Sequence, residues 1–154
     1  ASKRSLLSVI AGTGALCGGP AFGYCSDLIG RRRAIVTGLL LAVVMVPLWA
    51  LAPTMALLCA GAFLMQFMVQ GAWGVIPAHL SELSPDAVRG FLPGFAYQCG
   101  VLISASIAYI QALFAEHFSY ATTMALSAAV VFLGGSVVAA LGKERHARVF
   151  GRDN

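Results

Sequence analysis

The sequence predicts an all-α membrane protein, a polytopic bundle of five transmembrane helices, and three observations support that prediction. The first is composition, since 59% of the 154 residues are hydrophobic and only 10% are charged. A soluble domain carries about a quarter charged residues, and a soluble core of this size could not hide so much apolar surface. The second is a set of long apolar runs. The third is the position of the charge: the formal net charge of +4 lies at the run ends, which favours lipid headgroups and cytosol over a nucleic-acid partner.

Five apolar runs follow one another along the chain. Crossing the hydrocarbon layer takes about 20 residues of helix, with a range of about 17 to 25. Four of the runs fit, and the second lies near the lower limit. Lipid offers no partner to a bare peptide group, and the runs lack the alternation of barrel strands, so helices are predicted. The predicted spans are residues 6–28, 34–51, 55–80, 91–113 and 121–141, followed by a cytoplasmic tail over residues 142–154.

The basic residues also predict the orientation. Because the number of spans is odd, the two termini lie on opposite sides. Eight of the ten Lys and Arg residues then fall on one side and two on the other, and the connections at residues 52–54 and 114–119 contain none. This asymmetry predicts that the basic side is cytoplasmic, with the amino end outside and the carboxyl end in the cytosol of a cell (plasma or inner) membrane. The basic side has Arg31, Arg32, Arg33, Arg89, Lys143, Arg145, Arg148 and Arg152, and the other has Lys3 and Arg4.

The first span is rich in glycine. Gly14 and Gly18 are four residues apart, and so are Gly19 and Gly23. Small residues at that spacing predict close packing against a neighbouring helix. The basic start of the run resembles that of a signal peptide, but the run is too long and ends in arginines instead of a small-residue cleavage site. We therefore expect a true span in a chain whose beginning, upstream of Ala1, is missing.

Cysteine and histidine give no support to a catalytic or metal site. All four cysteines lie inside apolar runs with no C-x-x-C pair, and the three histidines are scattered. No ligand spacing typical of zinc is present. An intramembrane enzyme is the weakest alternative, because the spans contain no nucleophile–base set. The sequence thus predicts no catalytic residues and no cofactor.

The connection between the first two spans reads GYCSDLIGRRR over residues 23–33, and it resembles the signature loop of the major facilitator superfamily. The family's motif has a basic residue after the aspartate, where this chain has Leu28. That departure is commoner in the second-half copy of the loop. The resemblance therefore implies a twelve-helix fold to which this chain contributes helices eight to twelve, with a natural carboxyl terminus and a missing amino-terminal half as partner. The matching residues are Gly23, Asp27, Gly30, Arg31 and Arg32.

A second stretch narrows the resemblance. Residues 70–85 read QGAWGVIPAHLSELSP, and they lead to Arg89-Gly90 and then to PGFAYQ at residues 93–98. This resembles the helix ten to helix eleven region of the sialate- and lactate-type proton symporters. The phrase P-x-x-L-x-E-x-x-P-x-x-x-R-G alone is less specific, since sugar and aromatic-acid porters use similar ones. The resemblance implies a small carboxylate substrate and protons as partners.

The resemblance also implies gating roles for the signature loop and for the Glu82–Arg89 turn. Asp27 is an anion at the cytoplasmic end of the first span, and the amino end of the fourth span carries a partial positive charge. We expect Asp27 to latch these two helices in one transport state; the alternative is a solvated residue that orients the span. Glu82 lacks its usual basic partner and is expected to pair with Arg31 or Arg89, the alternative being an exposed surface pair.

Polar side chains on the third and fourth spans are the candidate cavity-lining residues. Glutamine in lipid is unfavourable unless it meets a partner or a water-filled cavity. The third-span set is spaced i, i+4, i+7 and shares one helical face, and its amide and indole N–H donors suit a carboxylate. The alternative is hydrogen bonding between helices. These residues are Gln66, Gln70 and Trp73 on the third span and Tyr97, Gln98 and Ser104 on the fourth.

No predicted span contains a deeply placed Lys, Arg, Asp or Glu. Proton coupling normally uses such groups, so the proton carrier and the countercharge for substrate are expected outside this sequence. Alternating access needs two halves, and five helices alone should not transport. The predicted function is proton-coupled carboxylate symport, for a monocarboxylate or a sialate-like substrate. The alternatives are a sugar, aromatic-acid or drug porter of the same superfamily, and a non-transporting membrane fragment.

Overall fold

The computed structural model describes residues 2–144, and within that range it consists of helices without any strand. Five helices are long and apolar enough to cross a membrane, which confirms the predicted fold class. Each begins or ends within a few residues of the predicted span. The predicted tail is described only as far as Glu144, so its last three arginines lie outside the described residues. The helices are α1 (Ser2–Ile29), α2 (Arg31–Ala50), α3 (Met55–Leu83), α4 (Leu92–Ala115) and α5 (Tyr120–Leu141), with a 3₁₀ turn at Asp86–Val88 between α3 and α4.

A single residue, Gly30, separates α1 from α2. Its φ is 98°, in the left-handed region that glycine adopts without penalty. Its N–H still donates to the Ser26 carbonyl at 3.1 Å, and its own carbonyl accepts from Ala34 N–H at 3.1 Å. The helix therefore turns a corner at Gly30 with its backbone groups satisfied, as expected for a glycine that ends one span and begins the next.

The first glycine pair brings α1 against α3. Gly14 and Gly18 are both buried. A methyl group on either would collide with a backbone carbonyl of α3, that of Phe63 or of Phe67. Because a backbone cannot move aside as a side chain can, these two positions set the distance between the helices. The prediction of close packing is confirmed for this pair.

The second glycine pair behaves differently, and the prediction for Gly23 is wrong among the described helices. A methyl group on Gly19 or Gly23 would meet nothing within 4 Å. Gly19 still lies close to α3, since a methyl group on Gly74 would be 3.4 Å from its Cα, but the ring of Phe22 makes the tighter contacts at this end of α1. There the neighbouring helices supply the glycines: a methyl on Gly71 of α3 would collide with that ring, and one on Gly38 of α2 would lie 2.8 Å from it.

The apolar core lies where α2, α3 and α5 meet. Ala42 and Val46 of α2 pack with Met65 of α3, and Phe132 of α5 covers them. Hydroxyl caps begin the later helices: the Thr54 side chain accepts from Leu57 N–H at 3.3 Å at the start of α3, and Ser119 does the same for α5. These contacts join α1, α2, α3 and α5 into one packed body.

Helix α4 stands apart from that body. None of its residues is buried, although it contacts both α3 and α5. Trp73 of α3 and Tyr97 of α4 form an edge-to-face pair, with ring centroids 5.8 Å apart. A cleft therefore separates α4 from the end of α3.

Candidate functional site

Arg31, in the first turn of α2, is the centre of a polar junction that we call the Arg31 junction: Arg31 with Ser26, Asp27 and Glu82. Its Nη1 lies 2.7 Å from Asp27 Oδ1 at the end of α1. The same nitrogen donates to Ser26 Oγ. Its Nε donates to Glu82 Oε1 of α3 at 3.2 Å. One guanidinium thus connects the ends of α1, α2 and α3.

The junction is shielded on its α3 side. The Glu82 side chain is 9% exposed and that of Arg31 17%, whereas the Asp27 side chain is 59% exposed. The alternative of an exposed surface pair for Glu82 is therefore wrong. An exposed pair contributes about 0–1 kcal/mol, and removing one partner of a shielded pair is more damaging because the other charge stays buried.

The structure distinguishes between the two arginines that the sequence offers as partners of Glu82. Arg31 takes Glu82, and Arg89 instead pairs with Asp86, three residues before it in the 3₁₀ turn. Both Arg89 and Glu82 therefore lie in ion pairs, but in different ones. The two pairs lie on either side of Pro85, at the end of α3.

In this conformation Asp27 is paired within the corner between α1 and α2, and the latch expected between Asp27 and the amino end of α4 stays a prediction. The ion partner of Asp27 in the described chain is Arg31. The corner at Gly30 brings Arg31 back to Asp27, and a full positive charge attracts a carboxylate more strongly than the half charge of a helix end. Helix α4 meanwhile packs against α3 and α5.

Arg32 joins α2 to the carboxyl end of α5, a contact that the sequence analysis did not predict. Its Nη1 donates to the carbonyls of Ala140 and Gly142 at 3.2 and 3.0 Å. In return, Glu144 Oε2 accepts from Arg32 N–H at 3.1 Å, at the amino end of α2. Each charge thus lies at the helix end that it stabilises. The only sequence signal was a carboxylate two residues after the glycine that ends the last apolar run.

The cleft between α3 and α4 has a volume of about 410 Å³. Its polar groups are few: Trp73, Tyr97 and Ser104 line it, and the Ser104 hydroxyl already donates to the Gly100 carbonyl at 2.8 Å. An indole N–H and a phenol hydroxyl are therefore the donors available to a bound solute. The other lining residues are Ile76, Pro77, Leu80, Pro93, Ala96, Gly100 and Val101.

The glutamines predicted to share this lining lie elsewhere. Gln66 lines a different cavity of about 370 Å³, together with residues of α1, α2 and α5. Gln70 is half-buried, and Gln98 is exposed on α4. Residues seven apart lie about 10 Å apart along a helix, enough for different neighbours to cover them. The face from Gln66 to Trp73 is therefore divided between two cavities. Within residues 2–144, no cluster of His, Cys, Asp and Glu is placed to hold a metal ion.

Comparison with known proteins gives the family. Residues 3–152 match the Major Facilitator Superfamily. The chain is 33% identical to the carboxylic acid transporter protein homolog of Saccharomyces cerevisiae, over 94% of this chain and 26% of that protein. It is 30% identical to the sialic acid transporter NanX of Escherichia coli, over 85% and 34%. It is also 30% identical to the glucose transporter GlcP of Staphylococcus epidermidis, over 63% and 22%.

The chain thus spans between about a fifth and a third of the length of these relatives. All three are named as transporters, and the match to the superfamily covers nearly the whole chain. Its five helices are of the length and apolar composition that a multi-pass membrane protein needs. The chain belongs to the major facilitator superfamily.

Proposed function

We propose that this chain is the carboxyl-terminal part, helices eight to twelve, of a proton-coupled carboxylate symporter that works by alternating access. The observation that carries the proposal is the Arg31 junction, a shielded ionic link between the ends of three helices. A link made only for stability could be apolar, whereas an ionic link can open to water and re-form as the two halves rock. The names of the yeast and NanX relatives support a carboxylate as the substrate.

The gate in this proposal is the end of the bundle that contains the arginines. Three features hold this end closed in one state: the end of α1 from Gly23 to the corner at Gly30, the Arg31 junction, and the contact of Arg32 with α5. Arg89 and Asp86 stiffen the turn that leads into α4. The other half of the transporter completes the gate and the substrate site.

The cleft between α3 and α4 lines part of the substrate path. The Trp73 indole N–H and the Tyr97 hydroxyl would donate to a carboxylate, while the apolar walls accept a short carbon chain. We place the countercharge for the substrate in the other half, because the described part of α4 contains no charged side chain. A monocarboxylate fits these features, and a sialate-like acid, which carries several hydroxyls, would take further hydrogen bonds from the other half.

The same end of the bundle is cytoplasmic in this proposal. Arg32 contacts the end of α5, so the arginine corner and the start of the basic tail lie together. Basic residues gather on the cytoplasmic side of membrane proteins, here the cell membrane.

A sugar porter is the second candidate. The GlcP relative favours it, although the alignment covers less of this chain than those with the yeast protein and NanX. A polyhydroxylated sugar needs many hydrogen-bonding side chains, and the cleft between α3 and α4 offers few.

The test is uptake by the full-length parent protein in liposomes. Labelled lactate, pyruvate and sialate are each supplied with and without an imposed pH gradient, with glucose as the neutral comparison. We expect a carboxylate to accumulate with the gradient and to stop accumulating when a protonophore collapses it. Uptake of none of the acids, together with binding of glucose, would overturn the carboxylate proposal and favour the sugar porter.

A further inference from the structure

A second basic feature lies at the arginine corner: a cavity where the ends of α1 and α5 meet the start of α2. Its volume is about 410 Å³, and it is open to the surface of the bundle. It is separate from the cleft between α3 and α4, and it takes only apolar and basic residues from this corner. We call it the corner cavity, and its lining residues are Ile29, Arg32, Arg33, Val36, Thr37 and Ala140.

The corner cavity has an excess of positive charge. Arg33 is exposed and forms no ion pair or hydrogen bond with the residues that the structure describes. Lys143, just after the end of α5, is a further exposed cation. With Arg32 these are three cations against one carboxylate, that of Glu144. Even when the Arg31 junction is included, with its one net negative charge, the corner stays positive.

One edge of the Arg32 guanidinium is available to a ligand. Its Nη1 is occupied by the two carbonyls at the end of α5. Its Nε lies 3.9 Å from Glu144 Oε2, too far for a hydrogen bond, because that oxygen accepts from the Arg32 backbone N–H at 3.1 Å. The N–H groups of Nε and Nη2 therefore have no acceptor among the described residues. This edge of a guanidinium matches two oxygens of a phosphate group.

The polarity of α2 below Arg33 changes in the order of a phospholipid. Arg33, Thr37, Leu40 and Val44 are spaced i, i+4, i+7 and i+11, so they share one face, and all four are exposed. Thr37 lies about 6 Å from Arg33 along the helix axis. A charge is thus followed by a hydroxyl and then by hydrocarbon, as a lipid phosphate is followed by its ester groups and acyl chains. A free phosphate ion would use only the first of these groups.

We propose that the corner cavity binds the headgroup of an anionic phospholipid from the leaflet at the arginine end of the bundle. The phosphate lies between Arg32 and Arg33, and the Thr37 hydroxyl donates to an ester carbonyl. An acyl chain then lies along Leu40 and Val44. Basic cavities between transmembrane helices are sites for such headgroups. The bound lipid joins α2 to the end of α5, and its binding does not require that the protein transports a carboxylate.

The test measures lipid binding at this face of α2 in the full-length protein. Leu40→Trp places a reporter beside the proposed acyl chain, and the signal of the protein without it is subtracted. The protein is reconstituted with brominated phosphatidylglycerol or brominated phosphatidylcholine, whose bromine atoms quench a nearby indole. We expect the anionic lipid to bind at the reporter about fivefold or more tightly than the zwitterionic one.

Arg33→Gln in the reporter protein should lower this preference about fivefold, because one cation near the phosphate is lost. The matched control Arg4→Gln, the same change at an exposed arginine near the start of α1, should leave it unchanged. Arg33→Lys keeps the charge and should retain most of the preference, and thermal unfolding checks that each variant is folded. An equal preference in Arg33→Gln and in the unchanged reporter protein overturns the inference.

Excess inorganic phosphate in the buffer tests the other source of the same chemistry. We expect it to leave the quenching by phosphatidylglycerol unchanged. Loss of that quenching to the level of Arg33→Gln would show a site for free phosphate and overturn the assignment to a lipid. Because no arm of the experiment measures transport, failure of the carboxylate proposal leaves this inference untouched, and the reverse also holds.

Discussion

At the residue scale, Arg31 contacts three partners that no other side chain could hold together. Its planar guanidinium directs Nη1 at Asp27 and Ser26 and Nε at Glu82. A lysine ammonium at this position is a compact point charge on a flexible stem, and it lacks the two separate donor nitrogens, Nη1 and Nε, that the junction uses. The junction therefore depends on the shape of Arg31 as well as on its charge.

Arg31→Lys keeps the charge and removes the fork, so it should destabilise the full-length protein. Hydrogen bonds to charged groups contribute about 1.5–3 kcal/mol each, and Glu82 would stay buried without its donor. We expect a lower thermal unfolding midpoint in detergent, while the same change at the exposed Arg33 leaves it within error. Equal midpoints for the two variants would contradict the shielded junction.

Gly30 is the residue whose backbone conformation other amino acids rarely adopt. Its φ of 98° makes Gly30→Ala unfavourable by about 1–2 kcal/mol. The added methyl would also lie 3.1 Å from the Glu144 carboxylate. Gly94→Ala, in the first turn of α4 with open space around it, should instead stabilise by about 0.5–1 kcal/mol. Thermal unfolding of the two variants should therefore shift in opposite directions, and two shifts of the same sign would contradict this account of the corner.

How much of the site could be predicted from sequence is also clearest for single residues. The motif showed that Glu82 needs a cation, but Arg31 and Arg89 remained equal choices, because only tertiary packing decides between a partner 51 residues away and a near neighbour. Glu144 escaped notice for the same reason, since it lies 112 residues from Arg32. The three histidines look scattered in the sequence, and nothing in it shows that His79 is buried with no hydrogen-bond partner for Nδ1 among the described residues.

At the scale of helices, apolar length predicted all five elements, and their ends differ from prediction by a few residues. Those differences arise because an apolar run marks the part that crosses lipid, while a helix continues into the headgroup region. Glycine spacing predicted the close approach of α1 to α3 at Gly14 and Gly18. It did not predict that no such approach occurs at Gly23. At that end of α1 the ring of Phe22 packs against Gly38 and Gly71, and a rule based on glycine spacing takes no account of the size of a neighbouring side chain.

The packing of α1 on α3 gives a matched pair of substitutions. Gly14→Ala pushes a methyl into a backbone carbonyl of α3, and such overpacking costs about 1–3 kcal/mol. Gly12→Ala, half a turn away with nothing within 4 Å, should be neutral or slightly stabilising. Thermal unfolding of the full-length variants measures both. A Gly14→Ala protein as stable as Gly12→Ala would show that the two helices do not approach closely at this point.

At the scale of the whole molecule, the proposed orientation rests on where the basic residues gather. Cysteine is introduced at Arg33, beside the arginine corner, or at His117, between α4 and α5, after the native cysteines, including the four of this chain, are replaced. In intact cells a membrane-impermeant maleimide should label His117→Cys at once and Arg33→Cys only after permeabilisation. Labelling of both positions from outside would contradict an odd number of spans between them.

The corner at Gly30 finally has a mechanical consequence for the helix bundle. Because only one residue separates α1 from α2, no flexible loop is present between them that could absorb a change in the tilt of either helix. Arg32 hydrogen-bonds to the end of α5 at the same point, so the ends of three helices, α1, α2 and α5, meet at this corner. A change of tilt in α1 would therefore be felt at the start of α2 and at the end of α5, whereas α4, none of whose residues is buried, packs against α3 and α5 away from this point.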